Sequence, residues 1–196
     1  MTPLLLLLIA REPLVPGHEN EYRQIEQETA RLSVKLGCPH PYLAMESLTG
    51  PKEIWWFNSF DSAEDQKQVG EAYQKNAPFS AMLKKNSDRK APVTGKVVEV
   101  YAQYRPELSS GPPWILGHAR FLAIAVTKDR PSSPGTVFEA PGGIFYVFSP
   151  ARTREQADRL AASTPGSTIV VARPEFSFPA KDWIAADPQF WQASNR

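Results

Sequence analysis

The chain has 196 residues, 42% of them hydrophobic and 22% charged, with a formal net charge of +1. That length suits one large domain or two small ones, and the apolar share supplies a real core. Near-neutral charge gives no basic face, so nucleic acid and anionic membrane are poor partners. The single cysteine, Cys38, excludes an internal disulfide and fits a reducing, cytoplasmic setting. The 19 prolines cluster between elements and punctuate loops rather than mark disorder.

Leu4 to Ala10 is an apolar run, preceded by no Lys or Arg and stopped by Arg11-Glu12 without a small-residue cleavage site. It is far short of the ~20 apolar residues of a spanning helix, so a buried strand is expected rather than a signal or an anchor. After the turn at Pro16-Gly17, Tyr22, Ile25, Thr29, Leu32 and Leu36 recur at helical spacing. Gly37 and Pro39 end that helix. Its Glu19, Glu21, Glu26 and Glu28 are expected on a solvated face.

Tyr42 to Leu48 and Glu53 to Ser59 read as strands joined by the Thr49-Gly50-Pro51-Lys52 turn. The next helix is expected to open at Asp61, with Glu64 completing a capping box and Val69, Ala72 and Tyr73 facing inward. Pro78 starts a second helical piece carrying Phe79, Met82 and Leu83, and polar Lys84 to Lys90 is expected to loop out. Val97 to Tyr104 is a strand, followed by a Pro-, Ser- and Gly-rich linker.

The second half is shorter. Ala119 to Thr127 reads as a strand, and Arg130 to Gly135 as a loop where the first half has a helix. Thr136 to Glu139 and Ile144 to Phe148 form a hairpin around Pro141-Gly142-Gly143. Ser149-Pro150 is expected to start a helix with Ala157, Leu160 and Ala161 inward. Thr168 to Arg173 is the last strand, and the tail ends in Trp183, Phe190 and Trp191. Ile54 to Ser59 before one helix matches Ile144 to Ser149 before another. The expected organisation is therefore α+β: a ferredoxin-like unit over 1–105, a linker over 106–117, a second unit over 118–178 and an aromatic tail over 179–196. The tail packs either on its own barrel, the favoured choice, or on a second chain as a homodimer contact.

The strand leading to Pro16-Gly17-His18-Glu19-Asn20-Glu21-Tyr22, and the Trp-rich strand leading to Phe60-Asp61-Ser62-Ala63-Glu64, resemble the NIPSNAP-like branch of the dimeric α+β barrel superfamily. Antibiotic-biosynthesis monooxygenases belong to the same superfamily. The resemblance covers residues 1–105 well and the second half by element order. It implies two ferredoxin-like sheets facing each other in a barrel that binds a small molecule or has no known activity.

A cavity is expected around Trp56, Asn58, Glu99, Tyr101 and His118. In the strand Val97 to Tyr104, Glu99, Tyr101 and Gln103 share one face, and Val98, Val100 and Ala102 the other. If the apolar set lies against helices, the polar set faces the barrel interior or solvent. Of the adjacent Trp55 and Trp56, one is core and the other faces a cavity; Trp56 is chosen. The fourth strand of a unit is taken to lie beside the second. An indole, a phenol and a carboxylate would then orient an apolar or aromatic molecule, with burial raising the Glu99 carboxyl towards use as a base. A partly wet sheet face and plain core packing explain the same pattern.

His18, His40 and His118 are the only histidines. Each has the chemistry of a haem ligand or general base, but Cys38 and His40 lack the further ligands zinc needs. No metal or cofactor is expected, and no phosphate loop or Gly-x-Ser-x-Gly elbow occurs. Three classes stay open: a ligand-binding or structural barrel, a cofactor-independent oxygenase or isomerase on an aromatic substrate, and a haem-handling barrel.

Overall fold

A computed structural model describes residues 5–110, 116–132 and 134–192. Leu4 of the expected first strand, residues 111–115 of the linker, Ser133 of the second-half loop and the last four residues of the tail lie outside the described residues. The first half runs β1 (Leu6–Pro13), α1 (Glu19–Lys35), β2 (Leu43–Ser47), β3 (Glu53–Phe60), α2 (Ala63–Lys75), α3 (Ala77–Lys90) and β4 (Val98–Tyr104). The second runs β5 (Phe121–Thr127), β6 (Thr136–Ala140), β7 (Ile144–Ala151), α4 (Arg154–Ser163) and β8 (Thr168–Ala172), before α5 (Lys181–Ala186) and α6 (Pro188–Gln192). No helix among the described residues is long and apolar enough to cross a membrane.

All eight strands pair antiparallel and close into a barrel in the order β1-β3-β2-β8-β5-β7-β6-β4. Each half supplies one four-stranded arc, β4-β1-β3-β2 and then β8-β5-β7-β6. Within a unit the fourth strand thus lies beside the first, not beside the second as expected from the sequence. The fourth strand meets a second strand only across the seam between units. One seam pairs Met45 with Ala172 and Ser47 with Val170; the other pairs Gln103 with Glu139 and Tyr104 with Phe138. Ion pairs straddle both seams: Arg173 with Glu46 at 3.2 Å and Arg105 with Glu139 at 2.6 Å.

Strand alternation divides the side chains between the inside of the barrel and its outer face. Leu7, Ile9, Trp55, Phe57, Phe138 and Phe148 fill the interior, as an eight-stranded barrel requires. Val100, Ala102 and Tyr104 of β4 point inward as well, while Val98 of the expected apolar set is 50% exposed, and Glu99, Tyr101 and Gln103 take the outer side, where the helices are. This reverses the assumed facing, because the interior is the driest surface available and takes the apolar set. Trp183 and Trp191 close the interior, both buried and 5.6 Å apart between ring centroids. Gly117 makes this possible: its φ is +80°, and a Cβ there would lie 2.2 Å from the Trp183 ring.

Helix α1 ends in a Schellman motif, with Gly37 at φ +65°, Cys38 N–H donating to Ser33 O at 2.8 Å and Gly37 N–H to Val34 O. Three other local expectations shift. Ser62, not Asp61, caps α2 by accepting from Asp65 N–H at 3.1 Å, and the Asp65 carboxylate accepts from Asp61 N–H at 3.0 Å. The cap therefore sits one residue later than expected, and Asp65 rather than Glu64 reaches back, to the N–H of the residue before the cap. Helix α3 continues to Lys90 instead of looping out, because its polar residues have partners: Asn86 Nδ2 donates to Thr29 Oγ1 at 2.8 Å, and Arg89 reaches Glu28 at 2.7 Å. Ser149 and Pro150 stay in β7, since β5 still offers partners as far as Phe121 opposite Ala151. The helix start is instead Thr153, in a capping box with Gln156.

Two measurements check these assignments. Ser62→Ala should lower stability in denaturant unfolding by about 1 kcal/mol, and Asp61→Ala by less, because only the first leaves a helix N–H group without its cap. Trp183→Ala should cost about 3–5 kcal/mol, the range for emptying a buried aromatic site.

Candidate functional site

With the interior filled, space for a ligand is found outside the barrel wall. A cleft of about 430 Å³ separates the outer face of β1, β3 and β4 from α1, α2 and α3. Its floor follows from register. Ala10 of β1 pairs with Trp56 on one side and Glu99 on the other; one step along, Leu8 pairs with Asn58 and Tyr101. Since β1 lies between β3 and β4, these side chains form two rows across three strands.

Of the five expected residues, Trp56, Asn58 and Glu99 line this cleft. Glu99 is solvent-exposed at its mouth, so the buried carboxylate expected there must be sought elsewhere. Tyr101 shares the outer face but is 43% exposed beside Phe60 and does not line the cleft. His118 is remote from it, at the barrel end closed by the tail, with Nε2 3.8 Å from Asp182. His18 is exposed near Glu21, and His40 stacks on Phe60 with Nε2 2.9 Å from Ser59 O. Trp55 is the interior indole of the pair and Trp56 the cleft-facing one.

One end of the cleft is aromatic. Tyr42 meets Trp56 edge-on at 5.9 Å, and Tyr73 and Phe79 pack at 5.5 Å. Burial pushes the Tyr42 and Tyr73 hydroxyls well above the ordinary phenol range. The other end holds a polar cluster that sequence reasoning missed: Glu12, Glu26 and Lys90. Glu12 Oε2 accepts from Tyr22 OH at 2.5 Å, from Trp56 Nε1 at 3.1 Å and from Lys90 Nζ at 3.2 Å. Lys90 Nζ also lies 3.0 Å from Glu12 Oε1 and 2.7 Å from Glu26 Oε1.

The two carboxylates are not equivalent. Glu12 is held by three donors. Glu26, only 2% exposed, has Lys90 alone among the described residues, with Nζ 2.7 Å from its Oε1. Burial drives the Glu26 carboxyl above its ordinary value; Lys90 opposes this without cancelling it, and Glu12 adds to it. Lys90 moves the other way: burial favours its neutral form, but Glu26 and Glu12 outweigh that and raise it.

The missed residues did leave signals. Glu26 stands four residues after Tyr22 and three before Thr29, inside the buried stripe of α1 rather than on its solvated face. Glu12 continues the outward row Leu8, Ala10 along β1, and Lys90 follows Phe79, Met82 and Asn86 on the inner side of α3. A charged residue in a hydrophobic stripe was the available clue.

The second half covers its outer face differently. Its outer face at Ala125, Val137 and Val147 is covered by Leu108 of the connecting segment, tied down by Ser109 Oγ accepting from Val137 N–H at 2.9 Å. A loop stands there in place of the helix that roofs the first half.

No protein-family model matches the sequence, and no curated protein does. Solved structures do match the shape. A protein provisionally named a monooxygenase, from Fusobacterium nucleatum subsp. nucleatum, superposes with a TM-score of 0.56 at 8% identity, over 88% of this chain and 93% of that one. A protein provisionally named a chlorite dismutase superposes with a TM-score of 0.50 at 10% identity, over 88% of this chain and 96% of that one. This fold is a dimeric α+β barrel, closed within one chain. At such identities the likeness speaks for architecture alone.

The raised Glu26 carboxyl has a definite pH signature. The native state holds that proton more tightly than the unfolded chain does. The contribution of Glu26 to stability is therefore greatest below the ordinary carboxylate range and is lost as pH rises through its raised value. Lys90 contributes up to much higher pH and is lost only as its own raised value is passed. Urea unfolding from about pH 4 to about pH 8 should show the parent losing stability relative to Glu26→Gln as pH increases. A difference that stays flat over that range would contradict it.

Proposed function

We propose that this protein is a small-molecule-binding α+β barrel whose ligand lies in the cleft between the β1–β3–β4 wall and helices α1–α3. The observation that carries this reading is the pairing, in one space of about 430 Å³, of an aromatic end at Tyr42, Trp56 and Phe79 with a buried polar end at Glu12, Glu26 and Lys90. Pockets that orient small molecules combine an apolar body with a few fixed polar groups in this way. Trp56 joins the two ends, since its ring faces the cleft while its Nε1–H is held by Glu12. The NIPSNAP-like resemblance of residues 1–105 supports the same reading.

A second reading has one specific observation in its favour. Glu26 is a buried carboxyl with a raised pKa at the edge of a ligand-sized space, the setting of a general acid or base. A cofactor-independent oxygenase or isomerase acting on an aromatic substrate would use it to take a proton from the ring system. The haem reading draws no support from this cleft, because none of the three histidines lines it.

A screen of aromatic compounds by thermal shift or calorimetry tests the first reading. A binder found in this way should lose about tenfold or more in affinity on Trp56→Ala, the loss expected from removing a buried aromatic contact, and be unaffected by His118→Ala. A binder indifferent to Trp56→Ala would place the site elsewhere. For the second reading, turnover should disappear in Glu26→Gln while binding persists.

A further inference from the structure

We infer that the ligand of this cleft is an apolar organic cation, an aromatic amine or a similar ammonium, with the Glu26 carboxylate as its counter-ion. This deepens the ligand-binding reading above and rests on it.

The charges facing the cleft can be taken element by element. Strand β1 brings Glu12, β4 brings Glu99 at the mouth, α1 brings Glu26 and α3 brings Lys90. Strand β3 brings Trp56 and Asn58, which do not titrate, and α2 brings Tyr73. Tyr42 enters from the segment before β2, and Tyr22 of α1 stands behind Glu12; burial keeps all three phenols neutral. Three carboxylates thus face one ammonium.

Within that imbalance the Glu12 charge is already answered, by Tyr22, Trp56 and Lys90. Among the described residues the Glu26 charge has Lys90 alone, the same ammonium that Glu12 uses, with Nζ 2.7 Å from Oε1. A carboxylate this deeply buried is costly until a second donor arrives. An ammonium entering the cleft supplies both the donor and the missing positive charge. An anion would meet Glu26 and Glu99, and a neutral ligand would leave the imbalance as it was.

The aromatic end suits the same ligand. Lys90 Nζ already lies 5.6 Å from the Trp56 ring centroid and 5.8 Å from that of Tyr22, so the ring faces here are disposed toward positive charge. The hydrocarbon part of an amine would lie along Leu8, Phe79 and Leu83. Because the cation favours the ionised form of Glu26, binding should release a proton wherever Glu26 is otherwise protonated.

Calorimetry on the full chain with three probes of matched size tests this: 2-phenylethylamine, 2-phenylethanol and 3-phenylpropionate. The amine should bind about tenfold or more tightly than the alcohol, the difference expected of a charge-assisted hydrogen bond, and the carboxylate should bind least. Amine affinity should fall as pH is lowered and Glu26 takes up its proton. Glu26→Gln should abolish the preference for amine over alcohol. If that variant does not fold, Glu99→Gln at the exposed mouth and the pH profile carry the test, the former weakening the amine by about two- to threefold through loss of a longer-range attraction. Alcohol or carboxylate binding as tightly as amine, and lost in Trp56→Ala, overturns the cation assignment and leaves the ligand-binding reading standing. Failure of all three probes also overturns the assignment, and the wider aromatic screen then decides separately whether the cleft binds anything. Amine binding unchanged in Glu26→Gln and Glu99→Gln overturns it too.

Discussion

An eight-stranded barrel has room inside for side chains and little else, and the rest of this molecule is arranged around that limit. Every strand contributes inward residues to one shared core, so neither half can keep a private interior. Closure also uses up the edges: β2 and β4 of the first unit, and β6 and β8 of the second, all find partners at the seams. With the interior occupied, chemistry must be built on the outside of the wall, under helices. Only the first half has the pair of long helices that can roof such a space.

That roof explains the polar cluster. Helices α1 and α3 cross the outer face of β1 close enough for Asn86 to reach Thr29, yet they leave a wedge that apolar side chains do not fill. Placing Glu12, Glu26 and Lys90 in it costs desolvation of three charged groups, with one ammonium shared between two carboxylates. A core built for stability alone would carry leucines there.

Much of the fold was legible in the sequence because it rests on short-range signals. The Leu4–Ala10 run, the Trp-rich strand and the spacing from Tyr22 to Leu36 each declared their element, and the echo between Ile54–Ser59 and Ile144–Ser149 declared the duplication. What failed was decided at longer range. The polar run Lys84 to Lys90 looked like a loop because its partners, Glu28, Thr29 and Glu12, lie far away in sequence. The site was half legible for the same reason. Trp56, Asn58 and Glu99 announce themselves by alternation along single strands, but convergence with Glu26 and Lys90 depends on how two helices cross a sheet. His118 lies at the barrel end closed by the tail, away from the cleft.

The core has an uneven dependence on chain order. Leu7 and Trp191 belong to the same buried cluster, although one lies on the first strand and the other in the last described helix. On the ribosome, where chains grow at about 5–20 residues per second, the first unit can assemble its own four strands early. It then waits with β2 and β4 unpaired until β6 and β8 have been made, and the barrel mouth stays open until the two tryptophans follow. Nascent chains of this protein therefore pass through a stage with two naked sheet edges, the form in which chaperone holding, or misassociation with another unfinished copy, has its opening.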